Sequence, residues 1–173
     1  MKKVLLPVCL ACLLAGCSTF RQHDPLPAVN QVDINRFMGT WYVVASVPTV
    51  LDKEAYNAVE MYERAPRGIR ITYQFNAGAY DGPVKTYTSR AMIDNPGINS
   101  DWDVTWVWPF KADYRIIYLE PDYSIVVVGH PNRKNLWIMS RQKRIPDTKY
   151  SDLILFLQNM GYDVGKIRLV PQA

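Results

Sequence analysis

Histidine is almost missing from this chain. Its 173 residues include two, His23 and His130, too few and too far apart for a histidine-based metal centre or a Ser–His–Asp triad. Cysteine is confined to the first 17 residues, at Cys9, Cys12 and Cys17. The remainder therefore has no disulfide and no thiol nucleophile, and its stability rests on packing. The apolar run Val4–Leu14 is too short for a membrane-spanning helix, which needs about 20 residues. The 20 basic residues exceed the 16 acidic ones only slightly and are scattered, without the concentrated basic face of a nucleic-acid binder. G-x-S-x-G, H-E-x-x-H and P-loop patterns are absent. The carboxylates Glu60, Glu63 and Asp81 stand apart from one another. These absences point away from an enzyme, and no cofactor or metal is implied.

The N-terminal sequence does have a pattern. Lys2 and Lys3 precede the run Val4–Leu14, which ends in Leu14-Ala15-Gly16-Cys17. This order resembles the bacterial lipobox, in which small residues admit the lipoprotein signal peptidase and the cysteine takes the lipid; a plain secretory leader that happens to contain cysteine is the other reading. The resemblance implies a signal peptide over residues 1–16, an acylated Cys17 and attachment to a membrane through that anchor. Ser18 at the following position resembles the outer-membrane case, and the expected location is the outer membrane, lipid-anchored and facing the periplasm. Residues 17–32, polar and carrying Pro25 and Pro27, read as a tether.

The rest, residues 33–173, reads as one domain. It is rich in aromatics, with 5 Trp and 11 Tyr in the whole chain, a composition that suits β-structure. Eight β-type runs recur about every ten residues, at 40–47, 57–64, 69–76, 85–93, 102–108, 114–120, 123–129 and 135–142. Short turns such as APRG, EPDY and HPNRKN join several of them and make neighbours antiparallel. The first link, PTVLDKEAYN, is longer and is expected to cover an opening. Tyr150, Leu153, Ile154 and Leu157 fall at helical spacing, with Asp147 as the expected N-cap and Gly161 as the C-terminal stop. The expectation is an all-β, eight-stranded antiparallel up-and-down barrel, one α-helix packed outside and a short final strand in KIRLV.

Three stretches carry a family resemblance. GTWYVVA resembles the lipocalin G-x-W motif on the first strand, YLEPDYSIVVVGHP resembles the second signature region, and NLWIMSR resembles the third. The helix and GYDVGKI resemble the bacterial outer-membrane lipocalins. Alternation along strands places Trp41, Val43 and Ala45 on one face and Trp137, Met139 and Arg141 on another. If both faces point inward, Trp41 fills the closed end and Arg141 stacks on its indole as a cation–π pair. Gly39 then lets the backbone turn in. Gly39, Trp41 and Arg141 are thus expected to form the barrel floor, a structural role.

A barrel of eight strands holds one small ligand or is filled by its own side chains. The aromatic faces expected inside comprise Tyr73 and Phe75; Trp106 and Trp108 beside Trp102; Tyr114 and Tyr118; and Trp137 with Met139. Such a wall takes an apolar group, with hydroxyls to fix one polar end. Glu60 is expected to be an exposed acid, with an inward position as the alternative, and Lys85 or Arg90 are candidates to meet a phosphate or carboxylate. The resemblance implies binding, storage or transport of a small apolar ligand, a fatty acid or lysophospholipid. The competing reading is an envelope-interaction lipoprotein with a filled barrel and a contact rim of Trp108 and Phe110. A homodimer stays open.

Overall fold

The computed structural model describes residues 25–107 and 110–173; for residues 106, 107, 110 and 111 it describes the backbone only. Among the described residues nine strands form one sheet: β1 (Gly39–Ser46), β2 (Ala55–Arg64), β3 (Ile69–Ala77), β4 (Val84–Ile93), β5 (Asp101–Val107), β6 (Phe110–Leu119), β7 (Ile125–Gly129), β8 (Leu136–Ser140) and β9 (Arg168–Leu169). Consecutive strands pair antiparallel from β2 through β8. The first strand closes the cylinder: its start, Gly39–Tyr42, pairs with β2, and Tyr42–Ser46 pairs with β8. Closure removes the open edges that a flat sheet would expose. Beyond Tyr42, β1 no longer pairs with β2, and the C-terminal segment bridges the gap. There the Gln172 side chain donates to the carbonyls of Val43 (2.8 Å) and Ala58 (3.0 Å), and β9 pairs with the end of β1.

The two faces of the sheet build two cores. Inside lie Phe37, Trp41, Val43, Tyr62, Ile71, Tyr73, Trp102, Val104, Tyr114 and Met139, among others. Outside, the helix α2 (Asp147–Asn159) covers Ala45, Ile125, Val127, Leu136 and Ile138 with Leu153 and Leu157. The run Ile125–Val128 is buried on both faces for this reason, with Val126 and Val128 inside and Ile125 and Val127 beneath the helix. The helix ends on Gly161, whose φ of 85° suits glycine. The amide of Tyr162 donates to the Leu157 carbonyl and that of Gly161 to Gln158, the paired bonds of a Schellman stop.

Four features depart from the sequence expectation. Asp147 is the first helical residue rather than the N-cap; Pro146 holds that position and makes no side-chain cap bond. Ala45 turns outward beneath the helix because a bulge lies between Val43 and Ala45, and an extra residue inverts every later side chain. Residues 25–32 do not hang free: Leu26 and Val32 are buried, the Val29 amide donates to the Ile116 carbonyl (2.9 Å) and the Val32 amide to Ile98 (2.9 Å). A short helix, α1 (Ile34–Phe37), precedes β1 and is capped by Asp33, whose carboxylate accepts from the amides of Asn35 and Arg36.

Candidate functional site

One end of the barrel is sealed. The helix α1 drives Phe37 into the interior, where its ring lies 5.2 Å from Trp41, 5.1 Å from Tyr62 and 5.2 Å from Trp102, centroid to centroid. The Trp41 indole N–H donates to the Phe37 carbonyl (2.9 Å). The Arg141 guanidinium carbon sits 3.8 Å above the Trp41 ring. Its nitrogens donate to the carbonyls of Thr40 (2.7 Å), Arg36 (2.8 Å), Phe37 (3.0 Å) and Met38 (2.9 Å). Gly39 lies between those carbonyls with φ 97°, a conformation that side chains with a Cβ avoid. Trp102 stacks on Tyr114 at 5.1 Å, with 8° between the ring planes, and completes a layer of packed aromatics.

Above that layer the interior opens into a cavity of about 260 Å³. The loop between β1 and β2 covers one side of it through Thr49, Val50, Leu51 and Asp52. Tyr73 and Tyr87 contribute from β3 and β4, Val104 and Tyr114 from β5 and β6, and Trp137 from β8, with His130 and Asn135 of the β7–β8 turn. The wall is mostly apolar, and its polar groups are gathered at a few points, the arrangement typical of small-molecule sites.

Acids and phenols make up most of the polar groups, beside Thr49, His130 and Asn135. Glu60 of β2 is 3% exposed and lines the cavity. The Tyr62 hydroxyl donates to its Oε2, and since that proton is committed, the Tyr114 hydroxyl donates to Tyr62 (2.5 Å). Burial pushes the Glu60 carboxyl up to about 7, with the Tyr62 bond opposing and the nearby Asp52 charge adding. Burial likewise drives the hydroxyls of Tyr62, Tyr73 and Tyr114 upward, so all three remain neutral donors at physiological pH. Asp52, at the mouth, is well supplied: it accepts from the Thr49 amide and hydroxyl, both at 2.6 Å, and from the Tyr73 hydroxyl at 3.0 Å.

The structure distributes the residues singled out from sequence as follows. Tyr73, Tyr114 and Trp137 border the cavity. Phe75 is buried against Tyr73 and Tyr87, and Met139 is buried near the Tyr62 hydroxyl (4.0 Å); both belong to the inner core rather than to the cavity wall. Tyr118 is not inside at all. A bulge between Ile116 and Tyr118 turns it to the outer face, where it meets Phe156 (5.6 Å) and bonds Glu120 (2.7 Å) and Lys149 (2.8 Å). The side chain of Trp106, and Trp108 entirely, lie outside the described residues, as does the side chain of Phe110; Cys17 lies outside them too. Lys85 and Arg90 point to solvent. Glu60 is buried rather than exposed. Its alternation with Ala58 and Tyr62 was a signal for this, but Val59 and Met61 make the opposite face equally apolar, so the phase was ambiguous. Among the described residues, no cluster of His, Cys, Asp and Glu suits a metal ion.

Comparisons with known proteins agree with this geometry. The outer membrane lipoprotein Blc of Citrobacter freundii is 26% identical over 170 residues, covering 98% of this chain and 96% of the relative. Temperature-induced lipocalin-1 of Arabidopsis thaliana is 26% identical over 159 residues, covering 88% and 86%. Among solved structures, insecticyanin from the tobacco hornworm Manduca sexta superposes with a TM-score of 0.67 at 14% identity, covering 87% of this chain and 86% of that one, a likeness of fold alone. The family model of the lipocalin-like domain matches residues 32–172. The chain therefore belongs to the lipocalin family, whose members bind small hydrophobic ligands.

Proposed function

We propose that this lipocalin is held in the bacterial outer membrane by an acylated Cys17 and binds the chain of a single-chain lipid, a fatty acid or a lysophospholipid, in its barrel. The observation that carries the binding role is the apolar-walled cavity of about 260 Å³ above a sealed floor. It falls just below the range of about 300–1,000 Å³ for small-molecule pockets, a size that fits part of one acyl chain better than a bulky lipid. Each methylene moved from water into such a wall contributes about 0.8 kcal/mol. Val50 and Leu51 on the β1–β2 loop line the cavity while being 85% and 58% exposed, and they offer an entering chain an apolar edge. The placement in the envelope rests on the Leu14-Ala15-Gly16-Cys17 sequence, on Ser18, and on relatives named as outer membrane lipoproteins.

The test uses the chain with Cys17→Ser, titrated with palmitate and with a lysophospholipid while tryptophan emission and the thermal midpoint are followed. Trp137 borders the cavity, so binding is expected to give a saturable emission change, smaller in Trp137→Phe, and a higher midpoint. If neither lipid moves either signal, the carrier role is abandoned.

A further inference from the structure

The cavity contains a buried acid that the packing of the barrel does not require. Glu60 is 3% exposed and aims at the space that an acyl chain would fill. Among the described residues only one group donates to its carboxyl, the Tyr62 hydroxyl, and only to Oε2. Asp52, by contrast, has three donors. The described part of the cavity wall holds no lysine or arginine; Arg90 lies on the outer face opposite Arg70, and Lys85 is exposed towards the open end, on the same face of the sheet as Phe75 and Tyr87. A carboxylate with spare acceptor capacity is costly to bury unless a donor reaches it.

We propose that Glu60 is the polar anchor of the cavity and selects a lipid whose buried end donates hydrogen bonds or carries positive charge, a long-chain amine in preference to a fatty acid. The inference rests on the reading that the barrel binds single-chain lipids, and narrows it. An ammonium brings three N–H donors and a charge opposite to that of Glu60. A fatty-acid carboxylate brought to the same place meets Glu60 and Asp52, two groups of its own sign in a medium of low dielectric. A fatty acid is therefore confined to tail-first entry, with its head at the rim.

The preference depends on pH. The groups facing Glu60 are Tyr62 on its own strand, Tyr73 and Tyr87 from β3 and β4, Tyr114 from β6 and Asp52 from the loop, with Asp113 and His130 farther along the wall. With the carboxyl pushed up to about 7, its ionised share rises from roughly a tenth at pH 6 to about nine-tenths at pH 8. An alkylammonium, with a pKa near the lysine value of about 10.4, keeps its charge throughout.

The experiment titrates the full chain carrying Cys17→Ser with decylamine, decanol and decanoate at pH 6, 7 and 8. Binding is followed by calorimetry and Trp137 emission. At pH 8 decylamine is expected to bind at least tenfold tighter than decanoate, with decanol between them. Decylamine affinity is expected to rise about tenfold from pH 6 to pH 8. In Glu60→Gln the pH slope disappears and the ratio of amine to alcohol affinity collapses to within about twofold, which separates Glu60 from His130 as the titrating group. Three results overturn the inference while leaving lipid binding in place: decanoate binding as tightly as decylamine, a flat pH profile, or a slope that survives Glu60→Gln. Failure of all three amphiphiles to bind overturns both the inference and the carrier role. The pH series on unsubstituted Glu60 decides the matter even if the Gln variant does not fold.

Discussion

At the scale of single residues, Arg141 matters through its shape. It spans the carbonyls of Arg36, Phe37, Met38 and Thr40, where α1 ends without partners for its last carbonyls and β1 begins. A lysine carries the same charge but lacks the planar fork. Arg141→Ala is expected to cost about 2–4 kcal/mol, the sum of charged hydrogen bonds and a cation–π contact, and Arg141→Lys to recover less than half of it in urea unfolding. Full recovery by lysine would show that charge alone suffices. Glu60 works in the opposite direction. Its folded-state carboxyl stands at about 7 against 4.5 for a free side chain. Below the unfolded value both states are protonated, and the fold carries no penalty. Between about 4.5 and 7 the unfolded chain gives up the proton while the folded state keeps it, so stability falls across that window and levels off above it. Glu60→Gln is therefore expected to be more stable than the native chain at pH 8, by on the order of 3 kcal/mol, with the gap closing towards pH 5. A gap that does not change with pH would locate the effect elsewhere. A site that weakens its own fold is common where binding needs a misplaced charge.

Among the elements, the contact of α2 with the barrel turns on one close approach. A Cβ built on Gly129 of β7 would stand 2.1 Å from the Tyr162 hydroxyl oxygen, and Tyr162 is the residue just past the helix stop. The Tyr162 hydroxyl also donates to the His130 carbonyl (3.3 Å), and burial pushes it up to about 12. Gly129→Ala is expected to cost about 1–3 kcal/mol by overpacking. In a Tyr162→Phe background the same change should cost about 1 kcal/mol less; thermal melts of the four proteins measure the coupling, and strict additivity would mean that the ring is free to move. Elements were also where the sequence was most readable. Every strand run was found within a few residues, because one wet or helix-facing side and one interior side leave a period of two. Tyr118 and Ala45 were misplaced because a bulge is one extra residue with no side-chain signature of its own. The helix α1 was missed because four residues leave too little periodicity to see, although Asp33 was there to cap it.

For the molecule as a whole, two separate cores lie on the two faces of one closed sheet. The interior one is dense at the floor and open at the mouth, so the barrel keeps its architecture from one end and its binding space at the other. No helix among the described residues is long and apolar enough to cross a membrane. In the proposed reading attachment rests on the acyl anchor at Cys17, whose chains contribute about 0.8 kcal/mol per buried methylene. Cys17→Ser is expected to move the protein from the membrane to the soluble fraction after lysis, as judged by immunoblot. Retention in the membrane fraction at high salt would remove the anchor from the proposal.

By itself the sequence determined the order of the strands and of α2, the lipobox-like start and, given inward faces, the meeting of Trp41 with Arg141, since these depend on local period, turn chemistry and residue type. It could also say that the barrel has aromatics to spare. Only the tertiary structure decided which aromatics pack the floor and which border space, because that choice depends on bulges, on where α1 enters, and on how far the packed rings reach from the base. The inward turn of Glu60 belongs to the same class. Both faces of β2 offered apolar neighbours, and closure of the sheet against β1 and β3 chose between them.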